Sequence, residues 1–161
     1  MDKRSLTFTS GPLVHDLLVS GAVSAHLSAS SSAVDTDWVV RLCDVFPDGR
    51  SLNVVEGIQR ARFRESASAP SLLQPGHIYD YTVRMSATEY LFRAGHRLRI
   101  TVGSSSYPRW SRNLNVAAFP EQAVEWTVAR NAIHVDAAHP SWVELPILSA
   151  DAVACRHGKD A

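Results

Sequence analysis

The chain has 161 residues, of which 45% are hydrophobic and 20% are charged, and its formal net charge is zero. This length and composition predict one globular domain that buries a core of its own. Zero net charge, with arginines spread along the chain, argues against a nucleic-acid partner. No apolar run approaches the roughly 18 residues of a membrane span, and no signal sequence follows Met1–Arg4. We therefore expect no membrane association and, if the start is native, a cytoplasmic location.

The first part of the chain carries two strand patterns. Leu6–Thr9 forms a short one, which Ser10-Gly11-Pro12 ends. A second pattern begins near Asp16, where apolar residues alternate with serine and histidine. Its predicted inward residues are Val23, Ala25, Leu27 and Ala29.

The segment Asp35–Arg64 is predicted to be the central β-hairpin, because two alternating stretches flank the turn Pro47-Asp48-Gly49. Gly57 interrupts the second strand and predicts a bulge there. One face of the first strand is assigned to the core: Trp38, Val40 and Leu42. The other face is too apolar to lie in water, so we expect it to be covered as well: Val39, Arg41, Cys43 and Val45.

Further strands follow a Ser-, Ala- and Pro-rich connection at Glu65–Pro75. Alternation predicts strands at His77–Met85, with Tyr79, Tyr81, Val83 and Met85 facing in, and at Leu98–Val102. Shorter strands are predicted at Glu89–Phe92, Val124–Val128, Ile133–Val135 and Val143–Ile147. Phe119–Val128 fits a turn of helix or a strand about equally. Ser104–Pro120 is predicted to be a long loop, and Trp38 and Trp126 are assigned to packing within the sheets. Many short strands without a persuasive helix predict an all-β domain, a jelly-roll β-sandwich, over residues 1–148, with a loose tail over 149–161.

Residues with catalytic or metal-binding chemistry are few. Gly103–Tyr107 lacks the second glycine of a nucleophile elbow. A Ser-His-Asp triad could be composed from Ser105, His139 and Asp136, but any chain of this size permits such a combination. His134, Asp136 and His139 are plausible metal ligands, but solvated loop side chains explain them as well. Asp35 and Asp37 could join a calcium site, although such a pair more often satisfies the backbone of a turn. We predict no catalytic residue, metal or cofactor.

The two cysteines, Cys43 and Cys155, lie far apart and indicate no disulfide framework. Cys43 lies within a predicted strand and is most simply a small buried hydrophobic residue. Aromatic residues in or beside loops, Tyr107, Trp110 and Trp142, could form a platform for a sugar. We favour a contact surface for another domain, because aromatic residues and arginine are enriched at interfaces.

Most of the chain, from about Leu6 to Leu148, resembles one family. The resemblance is carried by Ser30–Arg64, Phe92–Ile100, Ser104–Asn113 and Ala138–Leu148, with the motifs D-T-D, D-V-F-P-D-G-R, G-H-R-L-R, S-S-x-x-P-R and H-P-S. These segments are similar to the C-terminal non-catalytic domain of the X-Pro dipeptidyl-peptidase and cocaine esterase family of serine hydrolases. The resemblance implies a jelly-roll β-sandwich of galactose-binding-like shape, which packs against an α/β-hydrolase domain that holds the Ser-Asp-His triad.

No position of this chain matches the family's catalytic residues, so the chain alone is expected to be inactive. The resemblance implies an accessory role that supports a hydrolase of ester, amide or X-Pro peptide bonds. The alternative is a free-standing module that binds carbohydrate or another small ligand. The expected partner is the α/β-hydrolase domain, with self-association possible when that partner is absent. The candidate interface comprises the second face of the central strand and the loop after Gly103: Val39, Arg41, Cys43, Val45, Tyr107, Arg109, Trp110 and Arg112.

Overall fold

The computed structural model describes residues 5–148, and the predicted tail over 149–161 lies outside the described residues. The strands are β1 (Leu6–Thr9), β2 (Leu17–Ser31), β3 (Asp37–Val45), β4 (Ser51–Arg60), β5 (Ile78–Phe92), β6 (Arg97–Gly103), β7 (Asn131–His134), β8 (Trp142–Glu144) and β9 (Ile147–Leu148). One turn of 3-10 helix, Ala61–Phe63, follows β4. Within residues 5–148 no helix is long and apolar enough to cross a membrane.

The strands pair antiparallel in the order β1-β6-β3-β4-β5-β2-β7, and β8 and β9 also pair with β2. The link between β4 and β5 is one residue pair, Gly57 with Met85. At this link the sheet folds over, so that β1-β6-β3-β4 forms one layer and β5-β2 with its short partners forms the other. The predicted all-β jelly-roll sandwich is therefore confirmed.

The core lies between these two layers and follows the predicted alternation. Trp38, Val40 and Leu42 on β3 are at most 2% exposed. They belong to one cluster with the inward residues of the other layer, which are Val23, Ala25, Leu27 and Ala29 of β2 and Tyr81, Val83 and Met85 of β5. Tyr81 is so deeply placed that burial raises the pKa of its hydroxyl to about 12. The predicted inward faces of these three strands are confirmed.

The sequence predicted that an external partner covers the second face of β3, but the domain itself buries the apolar residues of this face. Val39, Cys43 and Val45 are only 1%, 7% and 4% exposed in the domain by itself. The loop after β6 contacts this face at Arg41, which donates a hydrogen bond to Ser106. These three residues are therefore internal, and burial raises the pKa of the Cys43 thiol.

Two predictions about the later strands are also wrong. Glu89–Phe92 is not a separate strand, because β5 continues without a break to Phe92 and pairs with β2 along its whole length. Val124–Val128 forms no strand and is solvent-exposed. Trp126 is 70% exposed and is not a core residue.

Gly57 has a different role from the predicted bulge. The β3–β4 register shifts between Leu42 and Cys43, which makes Val54 the extra residue, while Gly57 pairs regularly with Val40. A Cβ at Gly57 would lie 2.3 Å from the carbonyl oxygen of Arg84 on β5. Glycine is needed here because the two layers meet backbone to backbone at the fold of the sheet.

Replacing Gly57 with alanine is expected to destabilise the domain by about 1–3 kcal/mol, since the backbone of β5 must move away. Urea unfolding followed by far-UV circular dichroism measures the change. Gly11→Ala is the matched control, because a Cβ there meets nothing within 4 Å. Equal unfolding midpoints for the two variants would contradict this role of Gly57.

Candidate interface

The connection between β6 and β7, residues 104–130, is the most unusual surface of the domain, and we call it the docking loop. It has no regular strand or helix, yet it carries several large apolar side chains in water. They are Tyr107, Phe119, Val124, Trp126 and Val128, which are 64%, 39%, 96%, 70% and 71% exposed. Exposed apolar groups that lie together on a soluble domain commonly mark an interaction site.

The start of the docking loop is held on the outer face of β3 and β4 by an arginine–glutamate cluster. Glu56 of β4 is 8% exposed. One of its carboxylate oxygens accepts a hydrogen bond from Arg41 at 2.8 Å, and the other accepts one from Arg109 at 2.8 Å. Arg41 also donates to the Ser106 hydroxyl at 2.9 Å. Because Glu56 has two arginine partners, its burial is compensated and the loop backbone is held in place.

The middle of the docking loop is held by two buried aspartates. Asp35 and Asp37 are 0% and 1% exposed. The Asn113 side-chain amide donates to both carboxylates, at 2.8 Å and 2.9 Å. Arg60 donates to Asp37 at 2.9 Å, and this hydrogen bond raises the pKa of Arg60. The aspartates thus accept hydrogen bonds from side chains of β4 and of the loop.

Arg62 provides the deepest attachment. Its side chain is 2% exposed and donates from Nε to Asp35 at 2.7 Å. Its terminal nitrogens donate to three consecutive carbonyl oxygens of the docking loop, those of Val116, Ala117 and Ala118, at 2.7–3.2 Å. The guanidinium also lies 5.0 Å from the centre of the Phe119 ring. One buried cation therefore neutralises a carboxylate and holds the loop backbone.

The candidate interface predicted from the sequence separates into two groups. The internal group is on the second face of β3, where Val39, Cys43 and Val45 are buried, while Arg41 is 29% exposed and contacts Ser106 of the loop. The surface group is on the docking loop, where Arg112 lies over Tyr107 at 4.8 Å and Arg109 over Trp110 at 4.9 Å. Beside them is a shallow groove of about 410 Å3 lined by Tyr107, Ser111, Arg112, Leu114, Pro120 and Glu121.

Sequence reasoning missed four exposed residues of this surface: Phe119, Val124, Trp126 and Val128. The alternation of Val124, Trp126 and Val128 resembles a buried strand, which explains the error. The sequence did contain a signal against a strand at Val124–Val128. This signal was Pro120 together with the long loop before it, because proline disfavours a regular strand.

Of the other residues considered for chemistry, Asp136, His139 and His134 have structural partners, and Ser105 lies exposed in the loop after β6. The Asp136 carboxylate accepts hydrogen bonds from the backbone of Ala138 and His139. His134 contacts the Ser30 hydroxyl at 3.1 Å. Across residues 5–148 no group of three or more His, Cys, Asp or Glu side chains could hold a metal ion. The Ser104 hydroxyl accepts a hydrogen bond from Asn131 and thus satisfies the end of β6.

The structure defines the class as an all-β jelly-roll sandwich that carries a long surface loop between β6 and β7. Residues 1–144 match the X-Pro dipeptidyl-peptidase C-terminal non-catalytic domain. The chain belongs to this family.

Similar proteins are considerably longer than this chain. The chain is 43% identical over 145 residues to the cocaine esterase of Rhodococcus sp. (strain MB1 Bresler), covering 89% of this chain and 25% of that protein. An alpha-amino acid ester hydrolase superposes with a TM-score of 0.87 at 32% identity, over 91% of this chain and 26% of that one. An aminopeptidase from the marine sediment archaeon Thaumarchaeota archaeon gives a TM-score of 0.82 at 30% identity, again over 91% of this chain and 26% of that one. The chain thus spans about a quarter of each relative.

Proposed function

We propose that this domain docks through residues 104–130 onto an α/β-hydrolase catalytic domain and supports it. The catalytic domain would lie upstream in the same polypeptide or on a separate chain. The activity so supported would be hydrolysis of an acyl ester, amide or X-Pro peptide bond. The names of the relatives, an esterase, an ester hydrolase and an aminopeptidase, support this range of substrates. In this proposal the domain described here supplies no catalytic residue.

The observation that carries the proposal is the combination of apolar exposure with firm attachment. An exposed loop that were free to move would lose much conformational freedom on binding, and that loss weakens association. Here the backbone of the docking loop is already held by Arg62, Asn113 and Arg109. The backbone beside Trp126 is attached as well, because the Thr127 N–H donates to the Leu114 carbonyl at 3.0 Å. The loop therefore presents its apolar side chains on an ordered backbone, as interface anchors are.

A chimaeric enzyme tests this function. In it, this chain replaces the corresponding quarter of the Rhodococcus cocaine esterase, and both thermal unfolding and hydrolysis of nitrophenyl acetate are measured. We expect one cooperative unfolding transition. Trp126→Ser should lower its midpoint and reduce the activity that survives heating, because truncated hot-spot residues cost about 2 kcal/mol or more.

Val14→Ser is the matched control, since Val14 is also apolar and 80% exposed. It lies at the opposite end of the sandwich, where the carbonyl of Leu13 accepts a hydrogen bond from Gly95 before β6. The proposal fails if the Trp126→Ser chimaera unfolds and hydrolyses its substrate like the Val14→Ser chimaera.

The homo-oligomer expected from the sequence follows from the same surface, because two uncovered docking loops could bury their apolar side chains against each other. The alternative function, binding of carbohydrate or another small ligand, would need polar groups around an aromatic ring. Three highly exposed side chains of the docking loop, Val124, Trp126 and Val128, are apolar, and we therefore favour docking over ligand binding for this surface.

A further inference from the structure

A separate groove of about 480 Å3 crosses the outer side of β5, away from the docking loop's own side chains. Ligand pockets in proteins have a similar size and combine an aromatic wall with a few polar groups. The outward residues of β2 and β5 form its floor, and Trp142 of β8 and Arg64 form two of its sides. Its polar and aromatic lining includes His26, Asp80, Thr82, Arg84, Arg64 and Trp142.

The aromatic wall is held in a defined orientation. The Trp142 ring is stacked on the His26 ring, with centroids 4.7 Å apart and an interplanar angle of 13°. His26 is in turn held by the Glu144 carboxylate at 3.2 Å. Ser24 donates to the same carboxylate at 2.8 Å, and this bond, followed by the contact with His26, lowers the pKa of Glu144. Trp142 is nevertheless 51% exposed, so a large part of its surface is free to receive a ligand.

Some polar side chains that line the groove have hydrogen-bond donors or acceptors without a partner. The Arg84 side chain has no hydrogen bond or ion pair with any residue between 5 and 148. The Arg64 side chain is 6% exposed, and its Nε has no partner among those same residues. Asp80 accepts a hydrogen bond from Ser28 on one carboxylate oxygen, Oδ1. The exposed Arg84 guanidinium and the second carboxylate oxygen of Asp80 are the open groups, and a ligand with several hydroxyl or carboxylate oxygens would satisfy them.

We propose that this groove binds a pyranose sugar residue, with the ring lying against Trp142. The C–H face of a pyranose is apolar and fits an aromatic face, while its hydroxyl groups both donate and accept hydrogen bonds. Asp80 accepts from such hydroxyls, and Arg84 donates to a hydroxyl or to a sugar carboxylate. The groove shares none of the exposed side chains of the docking loop.

Nuclear magnetic resonance on the full chain tests the proposal, because each of the four tryptophans gives one indole N–H signal. The signals are assigned by single Trp→Phe variants. The probes are a neutral sugar, cellotetraose, and an acidic sugar, tetragalacturonate. We expect a saturable shift of the Trp142 signal with no shift of the Trp126 signal.

Two variants and one matched control complete the test. Trp142→Ala should weaken binding about tenfold or more, whereas Trp126→Ala, which removes another exposed indole, should leave it unchanged. The Arg84 side chain is exposed, so Arg84→Ala should not disturb folding, and it should weaken tetragalacturonate binding more than cellotetraose binding. The proposal is overturned if neither sugar shifts the Trp142 signal, or if binding to Trp142→Ala equals binding to the unsubstituted chain.

Discussion

Replacing Arg62 with alanine should destabilise the domain by about 3–5 kcal/mol, the range for removing one member of a buried ion pair. The substitution leaves the Asp35 carboxylate, which is 0% exposed, without its arginine. It also leaves three carbonyl oxygens of the docking loop without their donor. Urea unfolding monitored by tryptophan fluorescence measures the loss, and protease cleavage within residues 104–130 should become faster.

Arg50→Ala is the comparison for this result. Arg50 and Asp48 form an ion pair of the same length, 2.7 Å, but the two side chains are 72% and 55% exposed. Exposed pairs contribute about 0–1 kcal/mol, so this variant should unfold almost as the unsubstituted chain does. If Arg62→Ala were as mild as Arg50→Ala, Arg62 would not be the attachment of the loop.

Leu42→Ala should destabilise the domain by about 2–5 kcal/mol, because the leucine is 0% exposed at the centre of β3. Its neighbours across the strands, Val55 and Ile100, cannot close the space that the side chain leaves. The free energy of unfolding in urea is again the measurement.

Leu52→Ala provides a control of the same chemical type in the same hairpin. Leu52 lies on β4 and is 48% exposed, so its truncation removes little buried surface. A small effect of Leu42→Ala, close to that of Leu52→Ala, would mean that Trp38, Val40 and Leu42 do not face the core.

The core layers could be predicted from the sequence because their signal is local. In β2, β3 and β5 every second side chain is apolar, and the period of two assigns each residue to a face. Residues such as Leu27, Val40 and Val83 were placed correctly for this reason. The Pro-Asp-Gly turn at residues 47–49 likewise identified the central hairpin.

A loop at Ser104–Pro120 could be predicted, but the path of the docking loop could not, because it depends on contacts distant in sequence. Asp35 and Asp37 were interpreted through local turn chemistry, yet their partners include Asn113, 78 and 76 residues further along. The same limitation explains why the second face of β3 was assigned to an external partner. Its apolar residues are buried within the domain itself, and alternation within one strand cannot show which segments lie on each face.

The attachment through Arg62 has a consequence for how this domain could change during evolution. Arg62 binds main-chain oxygen atoms of residues 116–118, and every amino acid supplies such an oxygen. Side chains in this stretch can therefore be exchanged while the path of the backbone is kept. A single buried arginine would thus allow one scaffold to acquire new surfaces for different partners, with little risk to its own folding.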